Sequence, residues 1–160
     1  VNAANVKLSG NKITFKAETT AIKVNNSNVV IKDSQFTSTG AGTAANNTFA
    51  ILMTPVTGTN AAILNSKFDL SSVQNATNSA TSVFVNASNA TIKGNKILVS
   101  GINTGFGIVV NVPSSIVQDN EIRATVDGKG TGIFGVANIL NDALNGNSFP
   151  QPPALANKVQ

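Results

Sequence analysis

The chain contains no cysteine, no histidine, no tryptophan and no tyrosine. Without cysteine there is neither a disulfide framework nor thiolate chemistry, and cysteine usage says nothing about the redox compartment. Without histidine the chain lacks the commonest general base and metal ligand of neutral pH. Without tryptophan or tyrosine it lacks the rings on which neutral sugars commonly stack, and eight phenylalanines are its only aromatics. Charge is also scarce, at 11% of residues against the roughly 25% usual in soluble domains. The net charge of +4 comes from having few acids, seven against eleven bases. It favours polyanions weakly at low salt and lacks the dense basic stripe of a nucleic-acid binder. No apolar run is long enough to span a bilayer as a helix. Neither a 3.6-residue periodicity nor helix capping signals appear. The chain opens at Val1 without an initiator methionine or signal peptide, so a processed or excised fragment is expected.

What fills the 160 residues is Asn, Ser, Thr, Ala and Gly, interrupted throughout by Val, Ile, Leu and Phe. One pattern recurs: an apolar residue, two polar residues, Asn or Ser, one polar residue, then Ile or Phe. Its copies are Leu8–Ile13, Ile31–Phe36, Ile63–Phe68, Ile92–Ile97, Val117–Ile122 and Leu144–Phe149, beginning 23, 32, 29, 25 and 27 residues apart. A second short apolar strand follows each of the first five after a variable loop: Ala21–Val24, Ala50–Met53, Val83–Val85, Ile108–Val110 and Ile133–Gly135. The two central residues of each copy (Gly10-Asn11, Asp33-Ser34, Asn65-Ser66, Gly94-Asn95, Asp119-Asn120 and Gly146-Asn147) suit a sharp bend. Gly, Asn and Asp tolerate the left-handed backbone that such a bend requires.

Stacking the copies ~4.8 Å apart makes continuous apolar columns of Leu8, Ile31, Ile63, Ile92, Val117 and Leu144, and of Ile13, Phe36, Phe68, Ile97, Ile122 and Phe149. One coil buries little alone, but a stack of them buries a core. The expected fold is therefore an all-β, right-handed, single-stranded parallel β-helix of about six coils. It occupies residues 1–149, with residues 150–160 as an extended tail. The variable spacing and absent Leu-rich consensus disfavour a leucine-rich repeat, and the recurring corner disfavours a β-sandwich.

The repeat resembles those of the pectate-lyase-like superfamily, found in pectinases, phage tailspikes, periplasmic carbohydrate-binding proteins and surface proteins. The resemblance covers residues 6–149 and implies the fold while leaving activity open. Pectinolytic members use clustered aspartates or a Ca²⁺ site with a catalytic base, and neither arrangement is evident here. Asp33 and Asp119 share a column but stand three coils, ~14 Å, apart, beyond the ~5–9.5 Å that glycoside hydrolysis needs. Glu121 has cationic neighbours in Arg123 on its own strand and Lys96 one coil away, which reads as ion pairing. No catalytic residue, metal site or cofactor is assigned.

Lys32 and Lys93 fall in one column and Lys12, Lys67 and Lys96 in another, an expected basic patch for an acidic polysaccharide or cell-surface glycan. The charge-free loops Ser38–Thr48 and Leu70–Ser82 are expected side by side on adjacent coils. Five Asn-x-Ser/Thr sequons (Asn25, Asn46, Asn75, Asn86 and Asn89) matter only in a eukaryotic secretory route. Strand alternation turns Leu52, Phe84, Val109 and Phe134 outward as an apolar stripe, to be covered by the tail from Pro150 or by a second copy of the chain. The expected role is a non-catalytic module for surface adhesion, glycan or receptor binding, or structural spacing, outside the cell. A carbohydrate-active enzyme domain is the alternative.

Overall fold

The computed structural model describes residues 1–40, 47–54, 60–71, 79–86, 89–101, 104–111, 115–126 and 129–135, with residues 100, 101, 104, 124–126 and 129–135 described by backbone alone. The first coil comprises β1 (Lys7–Ser9), β2 (Lys12–Lys16) and β3 (Thr20–Val24), and the second β4 (Val30–Lys32), β5 (Gln35–Thr39) and β6 (Thr48–Met53). The third holds β7 (Ala62–Leu64), β8 (Lys67–Leu70) and β9 (Ser79–Val85), and the fourth β10 (Thr91–Lys93), β11 (Lys96–Gly101) and β12 (Thr104–Val110). The fifth is β13 (Ile116–Gln118), β14 (Glu121–Val126) and β15 (Lys129–Gly135).

Equivalent strands pair into three five-stranded sheets, β1-β4-β7-β10-β13, β2-β5-β8-β11-β14 and β3-β6-β9-β12-β15. Every pairing is parallel, so the chain is a parallel β-helix. The sixth repeat and the tail from Pro150 lie outside the described residues.

The register reproduces the expected inward columns. Leu8, Ile31, Ile63, Ile92 and Val117 stack in the first sheet, and Ile13, Phe36, Phe68, Ile97 and Ile122 in the second. Phe36 and Phe68 are fully buried, and their rings stack at 4.9 Å with planes 10° apart. Full burial of such a side chain contributes about 1.5–3 kcal/mol.

The first corner works through two residues with separate tasks. Gly10, Asp33, Asn65, Gly94 and Asp119 take the left-handed conformation, with φ of 71, 51, 47, 69 and 54°. The residue after each of the first four donates its backbone N–H to a side chain on the next coil. The Asn11 N–H donates to Ser34 Oγ at 3.2 Å and the Ser34 N–H to Ser66 Oγ at 3.2 Å. The Ser66 N–H then donates to Asn95 Oδ1 at 2.9 Å and the Asn95 N–H to Asn120 Oδ1 at 3.0 Å. Ser34, Ser66, Asn95 and Asn120 are buried, so this ladder pairs backbone groups that would otherwise be orphaned in the core.

Leaving the third sheet, the chain builds a second, more exposed ladder that the sequence reading missed. Asn25 Nδ2 donates to Asn2 Oδ1 at 2.8 Å, Asn28 Nδ2 to Asn5 Oδ1 at 3.0 Å, and Thr54 Oγ1 to Asn25 Oδ1 at 2.7 Å. Asn5, Asn28 and Asn89 have φ of 59, 55 and 57°. The available signal was an Asn-x-x-Asn spacing (Asn2/Asn5, Asn25/Asn28, Asn86/Asn89) just ahead of three of the five first-sheet strands, β1, β4 and β10.

The third sheet departs most from expectation. Its strands β6, β9, β12 and β15 begin two to four residues earlier than the apolar runs suggested. Ala50 and Ile51, and likewise Ser82 and Val83, are buried in succession, so strict alternation slips by one residue. The loops between second and third sheets shrink accordingly, since Ser38, Thr39, Thr48 and Ser79–Ser82 belong to strands. Their ends do lie together, with the Ser79 N–H donating to Asn47 Oδ1 at 3.3 Å. Most of both loops lies outside the described residues, as do Asn46 and Asn75.

Candidate functional site

The five lysines singled out from the sequence occupy the expected columns. Lys12, Gln35, Lys67, Lys96 and Glu121 follow one another down the second sheet, and Lys32 and Lys93, with Leu64 between them, down the first. The two columns do not share one flat sheet: the left-handed corner separates them, so the basic surface wraps an edge. Three of the lysines are ion-paired, Lys32 with Asp33 at 3.2 Å, Lys93 with Asp119 at 3.3 Å and Lys96 with Glu121 at 3.2 Å. All are substantially solvent-exposed, where such pairs contribute little to stability. Lys12 and Lys67 form no ion pair among the described residues. Glu121 takes Lys96 as its partner, leaving Arg123 unpaired among the described residues.

The Lys12–Lys96 column stands as a ridge between two depressions. On the corner side runs a groove of about 450 Å³, walled by Lys12, Gln35, Lys67 and Lys96 opposite Gly10, Asp33, Asn65 and Gly94, with Asn11, Ser34 and Ser66 at its base. On the other side a smaller groove of about 220 Å³ lies among Lys67, Lys96, Leu98, Glu121 and Arg123. Gly94 shapes the larger groove: a Cβ there would stand 2.4 Å from Asn65 Oδ1, so the Asn65 side chain occupies the space a larger residue would need. Gln35, Asn65 and Asp33 were not foreseen as lining residues, although each falls in a column already legible from the repeat.

Asp33 and Asp119 both sit in the corner column, three coils apart, each held by a lysine. Asp69 Oδ1 accepts hydrogen bonds from the Ser71 N–H at 3.1 Å and the Ser71 hydroxyl at 2.6 Å. Among the described residues no three Asp or Glu gather as a metal site, and no helix is long and apolar enough to cross a membrane.

The apolar stripe is in register, Leu52 with Phe84, Phe84 with Val109 and Val109 with Phe134 along the backbone. It is less open than alternation alone suggests. Leu52 and Phe84 are half-buried, and Val109 is buried without joining the interior core. One reason is Phe49, whose ring meets that of Phe84 edge-on at 5.6 Å. Among known proteins, the chain matches no family model, no curated sequence and no solved structure.

Proposed function

We propose that the chain is a non-catalytic β-helix module of the pectate-lyase-like kind, displayed outside the cell, that holds an acidic glycan against its lysine-bearing corner. The observation that carries this reading is the lysine ridge beside a long groove. Lys12, Lys67 and Lys96 project from β2, β8 and β11 of one sheet, with Gln35 of β5 between the first two, and Lys12 and Lys67 have no ion pair among the described residues. Lys32 and Lys93 extend the positive surface around the edge. The groove walls carry amide and ammonium donors with a single carboxylate, a lining suited to the hydroxyls and acidic groups of a polysaccharide.

The test is binding of the whole chain to an acidic polysaccharide by calorimetry at low and physiological salt. Affinity should fall steeply as salt rises, because charges this exposed are screened within about 8–10 Å at physiological ionic strength. The variant Lys12→Gln/Lys67→Gln should lose most of the binding while keeping its β-sheet circular dichroism. Salt-independent affinity, or an unaffected double variant, removes the electrostatic site. Cleavage of the polymer during the titration would refute the non-catalytic assignment.

A further inference from the structure

Resting on that reading, we propose that the corner groove selects an extended polysaccharide whose acidic groups fall on alternate residues, with the glycan lying parallel to the coil axis. The walls change charge from coil to coil. Lys12 faces Gly10 in the first coil, whereas the second sets neutral Gln35 against the Asp33 carboxylate. Lys67 faces Asn65 in the third, and in the fourth Lys96 faces Gly94 while Glu121 neutralises it from the other side at 3.2 Å. Among the described residues the groove thus presents, in order, a lysine without an ion pair, a carboxylate held by Lys32 at 3.2 Å, a second lysine without an ion pair, and a lysine held by Glu121 at 3.2 Å.

Coils repeat every ~4.8 Å, so Lys12 and Lys67 stand ~9.6 Å apart in register. One sugar residue of an extended glycan advances by about one coil spacing. A polymer with an acid on every second residue therefore meets both lysines and lays a neutral residue between Gln35 and Asp33. A polymer acidic at every residue drives a carboxylate against Asp33, and like-charge contacts of this kind reject wrong partners. Lys32, 3.2 Å from Asp33 on the far side of the corner, softens this repulsion without lining the groove. A neutral glycan gains nothing from the lysines, and a glycan crossing the corner within one coil meets only one of them.

The experiment compares two probes at low salt: hyaluronan oligosaccharides, acidic at alternate residues, and oligogalacturonate matched for number of carboxylates. The alternating polymer should bind about two- to fivefold more tightly, the scale of one exposed charge contact. Asp33→Asn should erase most of that preference by improving oligogalacturonate binding; Asn65 already occupies the same left-handed column with φ 47°. Gln35→Lys should act in the same direction. Equal or tighter binding of oligogalacturonate by the unaltered chain, or a preference unmoved by both variants, overturns the proposal and leaves the acidic-glycan reading standing. Binding of neither probe overturns both.

Discussion

Asn95 is the residue whose removal tests most directly how the coils are held together. It is 1% exposed, and its amide serves three neighbours. Oδ1 accepts the Ser66 N–H at 2.9 Å, while Nδ2 donates to the Ile63 carbonyl at 3.0 Å and to Asn120 Oδ1 at 2.9 Å. Asn95→Ala strips the Ser66 N–H of its acceptor and the Ile63 carbonyl of a donor. Asn120 Oδ1 keeps the Asn95 N–H. Each buried group left unpaired costs about 1–3 kcal/mol, so the variant, which leaves two, should lose roughly 2–6 kcal/mol. Asn95→Ser should recover about half of that, because a hydroxyl already accepts the preceding N–H at Ser34 and Ser66. Asn11→Ala is the control: that side chain is half-exposed and supports no neighbour among the described residues, so the loss should stay under about 1 kcal/mol. Urea denaturation gives the difference in midpoint at unchanged slope, and hydrogen exchange at the Ser66 amide supplies a local reading. If Asn95→Ala costs no more than Asn11→Ala, or Asn95→Ser fares no better than Asn95→Ala, the ladder does not carry the assigned energy.

Two further predictions concern backbone and polar strain. Gly10→Ala should cost about 1–2 kcal/mol for placing a Cβ at positive φ, whereas Gly94→Ala should cost more because it also displaces the Asn65 side chain; an Asn65→Gly background should bring the two costs together in thermal melts. Ser82→Ala should leave stability unchanged or raise it by about 1 kcal/mol, since Ser82 Oγ is buried without a hydrogen-bond partner among the described residues; a clear loss in chemical denaturation would mean that the hydroxyl has a partner after all.

The first corner and the apolar columns beside it were readable because their constraint is local. A left-handed residue narrows the choice to Gly, Asn or Asp, and the inward residue after it must be small and hydrogen-bonding. That pairing repeats in sequence whatever the loop lengths between copies. The third sheet hid its boundaries because its ends are built from Thr48, Ala80, Thr81 and Ser82, buried residues of modest hydrophobicity. The slip at Ala50 and Ser82 precedes Leu52 and Phe84, which are half-buried, while Val109 in the same column is buried. The ion pairs were harder to see. Adjacent strand residues face opposite ways, yet the turn at Asp33 brings its carboxylate to Lys32. In the fourth coil Gly94 has no carboxylate to offer, so Lys93 reaches across to Asp119 in the next coil.

That difference bears on the ridge itself. A parallel ladder sets identical positions directly over one another, and like charges so placed repel by a few tenths to about 1 kcal/mol per pair. Lys67 and Lys96 are such a pair, one coil apart. Where the column continues to Glu121, the charge is answered within the protein at 3.2 Å. Lys32 and Lys93 of the first sheet are answered likewise by Asp33 and Asp119. A surface needing only solubility would be served by either arrangement, and alternating signs would make the ladder more stable. Lys12 and Lys67, like Lys7, Lys16 and Lys23 elsewhere, have no ion pair among the described residues, and these two line the groove beside neutral Gln35 and Asn65. An acidic glycan in the groove would supply the missing countercharge from outside, and the repulsion between Lys67 and Lys96 would then be relieved on binding.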